Sequence, residues 1–184
     1  MATGLNAQTR FGVQGGVNLA KMSVTEDGSK FENSSLANFY IKGYSDIPMY
    51  TNLSIQPGIS FQGKGGKDKQ TSTKFVYQAI DIPVNVVYHL RLNSNEVFVG
   101  AGPFLGLNLS GKVKYEDGTS EDIGFGPIFD SQGDEWKRFD YGVNFLGGYK
   151  LSNGFLLNVN YSLGLANIDP LPNWKRHSRV WSFV

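Results

Sequence analysis

Apolar and polar residues alternate along most of this chain. Phe11, Val13, Val17 and Leu19 fall on one face, and Gly12, Gln14, Gly16 and Asn18 on the other. Leu53, Ile55, Pro57, Ile59 and Phe61 repeat the pattern against Ser54, Gln56, Gly58, Ser60 and Gln62. Further on, Ile80, Ile82, Val84, Val86 and Tyr88 oppose Asp81, Pro83, Asn85, Val87 and His89. Val97 to Leu109, Phe139 to Lys150 and Phe155 to Gly164 continue the rhythm. A period of two is that of a strand with unlike faces. Asn38 to Asp46, less tidy, and the short Ser178 to Val184 bring the expected strands to eight.

The connections alternate in length. Residues 20–37, 64–76, 110–138 and 165–177 are long, whereas 47–50, 91–95 and 151–154 are brief turns marked by Pro48, Asn93-Ser94-Asn95 and Asn153-Gly154. One end of the molecule is therefore trimmed and the other ornate, as in barrels with short periplasmic turns and long extracellular loops. Glu26-Asp27-Gly28 and Glu116-Asp117-Gly118 are turn signals inside long loops, so strands are expected to run on as raised hairpins. The fold class expected is all-β, an eight-stranded antiparallel up-and-down transmembrane β-barrel.

Alternation alone also fits a soluble lipocalin-like ligand-binding barrel, so the chemistry of the polar face has to decide. That face is Gly, Asn, Gln and Ser with isolated charges, which suits the narrow interior of eight strands, filled by side chains. A water-facing surface would be richer in Lys and Glu. Tyr77, Tyr88, Tyr141, Tyr149 and Phe155 lie near strand ends, where aromatic girdles meet headgroups. The 23 glycines and 14% aromatics favour β-structure with close backbone approaches. Lys plus Arg at 17 against Asp plus Glu at 16 gives no basic field for nucleic acid, and the absence of cysteine removes disulfides and thiolate chemistry. Residues 1–9 read as a leader or signal-peptide remnant, expected to be disordered, and 10–184 as one outer-membrane barrel domain.

The segments Phe11 to Leu19, Leu53 to Ile59, Ile80-Asp81-Ile82-Pro83-Val84, Val99-Gly100-Ala101-Gly102-Pro103-Phe104-Leu105-Gly106 and Tyr161 to Ile168 resemble, in order, landmarks of the PorT-type outer-membrane β-barrel family of Bacteroidetes (a porin-like outer membrane protein β-barrel domain). The resemblance covers about residues 10–184. It implies a bacterial outer-membrane location with long loops extracellular and both termini periplasmic, and a structural or accessory subunit, some relatives being connected to protein secretion. The partners expected are the lipid bilayer, lipopolysaccharide, and other outer-membrane or secreted proteins. Such chains normally finish on a longer strand with a terminal aromatic, whereas this one stops at Trp181-Ser182-Phe183-Val184, so the closing strand is expected to be short.

Residues expected to face the barrel interior are Gln14, Asn18, Gln56, Asp81, Asn85, Asn108, Asp140, Asn144, Lys150, Asn158 and Asn160. The charges among them, with Lys42, should pair, because a tight lumen penalises lone ions. Phe125, Ile128, Phe129 and Trp136 in the longest loop need cover, either as a lid over the barrel mouth or against a partner. Lys64, Lys67, Lys69 and Lys74 make the second long loop basic, a solubilising loop or a contact for lipopolysaccharide phosphates. Neither catalysis, metal nor cofactor is expected. His89 and His177 fall at opposite ends; His177 with Asp169 and a loop serine is the one hydrolytic arrangement that suggests itself, and the acidic Glu116, Asp117, Glu121 and Asp122 lack calcium-ligand spacing. An outer-membrane enzyme with a rim site remains the alternative class.

Overall fold

In the computed structural model the chain is described at residues 8–26, 29–69, 71–126, 136–169 and 173–184. Ten strands form: β1 (Arg10–Glu26), β2 (Ser29–Glu32), β3 (Leu36–Tyr50), β4 (Leu53–Lys67), β5 (Lys74–Leu92), β6 (Asn95–Lys114), β7 (Ser120–Ile123), β8 (Phe139–Lys150), β9 (Leu156–Gly164) and β10 (Trp174–Phe183). Eight of them, β1, β3, β4, β5, β6, β8, β9 and β10, pair antiparallel in that order, and β10 pairs back onto β1 to close the ring. Closure satisfies backbone groups between strands, the condition for a sheet to lie in hydrocarbon. β2 pairs with the end of β1, and β7 with the end of β6, so the two expected hairpins rise above the ring.

Strand length separates membrane from overhang. β5 has 19 residues and β6 has 20, about twice the 9–11 that a tilted strand needs to cross hydrocarbon. The excess lies at the long-loop end, where β4 and β5 stay paired up to Lys67 and Lys74. Two sequence expectations are corrected here. Lys64 is no loop residue but part of β4, and Tyr77 belongs to no outer girdle: it is fully buried inside. Alternation carries both inward, Lys64 in step with Gln62 and Tyr77 in step with Ala79 and Asp81. The turn expected at 47–50 lies instead at 51–52, since β3 continues through Pro48 with a register shift there.

Outside, an apolar band circles the ring: Phe11, Val13, Ile41, Ile59, Ile82, Val99, Leu105, Phe145, Leu157 and Trp181 are all exposed. Tyr88, Tyr141 and Phe155 face outward with them. Inside, aromatic rings lie over glycines on the neighbouring strand. Phe104 is the register partner of Gly142, and Phe98 of Gly148. A Cβ on Gly142 would stand 2.7 Å from the Phe104 ring and 2.0 Å from the Leu163 carbonyl oxygen, so only glycine fits.

The closing strand has ten residues, Trp174–Phe183, rather than the short Ser178–Val184 segment, because its pairing extends back to Glu26. At its other end Phe183 lies opposite Val17, so Arg10–Gly16 of β1 pair with β3 but, among the described residues, with nothing on the seam side.

Candidate functional site

The alternation that points apolar side chains outward sends the polar set into the lumen, where they stack in layers. Near the long-loop end lies a charged layer. Lys64, fully buried, places Nζ 2.9 Å from the Asp81 carboxylate and 3.5 Å from that of Asp140. Gln62 donates to Asp81, Asn18 donates to Gln62 at 2.7 Å, and the Ser178 hydroxyl donates to Asp140 at 2.9 Å. Lys64 also sits over the Phe104 ring. One ammonium thus faces two carboxylates from β5 and β8, each charge with at least one hydrogen bond, although Asp140 Oδ1 has no partner among the described residues.

Above it an apolar cap fills the mouth. Met22, Val24, Tyr77, Ile123, Phe125, Ala166 and Ile168 are buried together, with Phe75, Val113, Trp136 and Trp174 packed on them. Trp136 meets Phe125 edge-on at 6.3 Å, and Arg176 lies 4.2 Å over the Trp136 ring while bonding Asp169 at 3.0 Å. Arg138 ties the cap down, donating to the carbonyls of Phe125 at 2.8 Å and Gly126 at 3.0 Å. Phe125 is therefore covered by the barrel's own mouth, with Trp136 half-buried beside it. Ile128 and Phe129 lie outside the described residues.

Below the charged layer Asn85, Asn158 and Asn160 are buried and Asn144 is half-buried. Asn85, Asn144 and Asn160 border, with Lys42, a void of about 10 Å³, room for about one water. Gln14 and Asn108 are buried too, and Asn108 donates to the Lys137 carbonyl at 3.2 Å. Lys150 faces inward only at the short-turn rim, half-buried. It forms no ion pair among the described residues, so the pairing expected of it falls to Lys64.

The short-turn end is closed by a second polar group. The Ser54 hydroxyl lies 2.8 Å from His89 Nε2, and His89 Nδ1 lies 2.9 Å from Glu96. Asp46 accepts from Gln56 at 3.2 Å and stands 3.5 Å from Arg10. The order Ser, His, Glu is that of a hydrolytic relay. Ser54, however, is 2% exposed and points into the filled lumen. The arrangement drawn around His177 does not assemble among the described residues, where its Nδ1 has no hydrogen-bond partner.

The sequence reading missed Lys64, Ser178 and the Ser54–His89–Glu96 group. Extending the inward set Gln56, Gly58, Ser60, Gln62 by one step finds Lys64. The inward alternation also includes Ser54 and His89 but does not signal their pairing: Ser54, His89 and Glu96 meet between the neighbouring strands β4, β5 and β6, and Ser178 of β10 reaches Asp140 of β8, in registers that local pattern does not specify. In the raised β6–β7 hairpin three of the four acidic residues are engaged: Thr119 donates twice to Asp117, holding its carboxyl below the usual range, Tyr115 donates to Glu121, and Lys112 pairs with Asp122.

Among solved structures the chain is similar to Ail, the attachment invasion locus protein of Yersinia pestis, in complex with the heparin analogue sucrose octasulfate. Identity is 14% and the TM-score 0.39, over 93% of this chain and 96% of that one. It is also similar to Neisserial surface protein A, at 11% identity and a TM-score of 0.46, over 96% and 97%. No curated protein matches. The family model described as outer membrane protein beta-barrel domain matches residues 6–169, and with most of the chain covered, this protein belongs to that family of outer-membrane barrels.

Proposed function

We propose that this barrel is a sealed, non-catalytic structural or accessory protein of the outer membrane, using its long loops as the interaction surface. The observation that carries the reading is the filled lumen. An apolar cap, a charged layer and a His89-centred group occupy it at three levels among the described residues. The long-loop end then faces the exterior and both chain ends the periplasm, in keeping with the asymmetry of the connections. Other outer-membrane or secreted proteins are the partners this surface would meet, and the PorT-type resemblance adds a link to protein secretion.

The test combines three measurements on the full chain. It should sediment with outer membranes, migrate differently on gels before and after boiling, and give no steady conductance in planar bilayers. Recovery as a folded monomer in aqueous supernatant would remove the membrane reading, and a large stable conductance would remove the sealed one. A second reading, an enzyme, draws on Ser54, His89 and Glu96. Covalent labelling of Ser54 by a fluorophosphonate, lost in His89→Ala, would establish it in place of the first.

A further inference from the structure

On the outward face of the long-loop end three lysines stand side by side. Lys67 is the register partner of Lys74, and Lys74 of Lys114, so the three occupy adjacent strands at one level. Directly opposed residues share a face of the sheet, with Cβ atoms about 4.5–5.5 Å apart, and like charges so placed repel. Among the described residues none of the three has an ion-pair partner, while Lys112, two residues before Lys114, holds Asp122 at 3.6 Å. The row lines a cleft of about 530 Å³ between the turn after β4 and the β6–β7 hairpin, with the hydroxyls of Ser72 and Ser120 and one carboxylate, Glu116.

The height of the row identifies what it meets. Down the same face of β5, Lys74 is followed by Val76, Gln78, Ile80 and Ile82, so the lysines stand on the strands that carry the apolar band. Six residues at about 3.3 Å each, on strands tilted by about 40°, put the row roughly 15 Å above Ile80. That is the region of a large saccharide headgroup, and flexible amines can reach down toward the acyl boundary. A soluble polyanion would approach the loop tips rather than the outward wall continuous with lipid.

We infer that Lys67, Lys74 and Lys114 form a binding site for the phosphate groups of a glycolipid in the outer leaflet. The inference rests on the long-loop end facing outward. Lysine binds phosphate as a point charge, and a multiply charged headgroup relieves the repulsion along the row. Each lysine near an anionic membrane surface is worth about a fivefold change in affinity.

The test uses full-length protein in phosphatidylcholine nanodiscs carrying bis-phosphorylated lipid A, with lipid retention read by native mass spectrometry. The triple variant Lys67→Gln, Lys74→Gln, Lys114→Gln should bind about 100-fold more weakly, and the corresponding triple arginine variant should restore binding. Lys175→Gln should bind as wild type does, and dephosphorylated lipid A should not distinguish wild type from the triple glutamine variant. Unchanged lipid A binding by the glutamine variant overturns the site, as does equally tight binding of soluble dextran sulfate by wild type, which would make the site one for free polyanions. A Ser72→Cys variant, treated on intact cells with an impermeant maleimide, separates the two readings. Labelling only after permeabilisation overturns the orientation, whereas labelling on intact cells with unchanged lipid binding overturns the glycolipid site alone.

Discussion

Replacing Lys64 by methionine removes the one ammonium of the charged layer while keeping its volume. Each of its contacts, 2.9 Å to Asp81 and 3.5 Å to Asp140, is worth roughly 5 kcal/mol in gross Coulomb terms at an effective dielectric of about 20. Desolvation of the three ions offsets most of that, so the net worth of the cluster is small. Its truncation is not, because two carboxylates only 3% and 0% exposed are left facing each other. The expected loss is about 3–5 kcal/mol for Lys64→Met. Lys64→Met with Asp81→Asn should cost less than the single change, because only Asp140 then stays charged, with Ser178 still donating to it. The assay is urea unfolding in lipid vesicles, followed by tryptophan fluorescence and by the gel shift between folded and boiled protein. A loss below about 1 kcal/mol for Lys64→Met, or additivity with Asp81→Asn, would refute the reasoning and leave the cluster a set of independent side chains.

Gly142→Ala should destabilise by about 1–3 kcal/mol or abolish the folded gel band, since its Cβ meets the Leu163 carbonyl and the Phe104 ring; pairing it with Phe104→Leu should recover only part, because the carbonyl remains. Phe125→Ala should cost about 3–5 kcal/mol, read as a lower unfolding midpoint. Loss of a co-purifying partner with no change in stability would instead make Phe125 a docking residue. Arg138→Ala should speed proteolytic cleavage between Phe125 and Trp136, measured on protein in bilayers, because it frees two carbonyls that hold the cap.

The strands were readable because both faces of each carry a chemical contrast, apolar to lipid and small or polar to the lumen. Where that contrast fades the reading shortened the elements. Above the membrane β4 and β5 meet water outside, so Lys64 and Tyr77 looked like loop and girdle residues although the pleat still turns them inward. Asp81 and Asp140 could be assigned to the interior from local pattern, but not their partner, since Lys64 and Asp140 are 76 residues apart. The same holds for Ser54 and His89, joined across β4 and β5 by a register that periodicity does not specify. Phe125 and Trp136 were marked by their cost in water, and the choice between lid and patch needed the third dimension.

The seam between β1 and β10 joins residues from opposite ends of the chain, so the ring's last ladder waits on nearly the whole polypeptide. Every other neighbouring pair in the ring is consecutive in the chain, apart from the short β2 and β7 that lie outside the ring. Assembly is therefore zipper-like up to β9 and then depends on one long-range event, and a half-made sheet bears two bare edges that hydrocarbon does not solvate. Insertion and closure are thus one cooperative step. The ladder that makes this closure runs from Val17–Phe183 to Glu26–Trp174, so its far end is anchored beside the apolar cap.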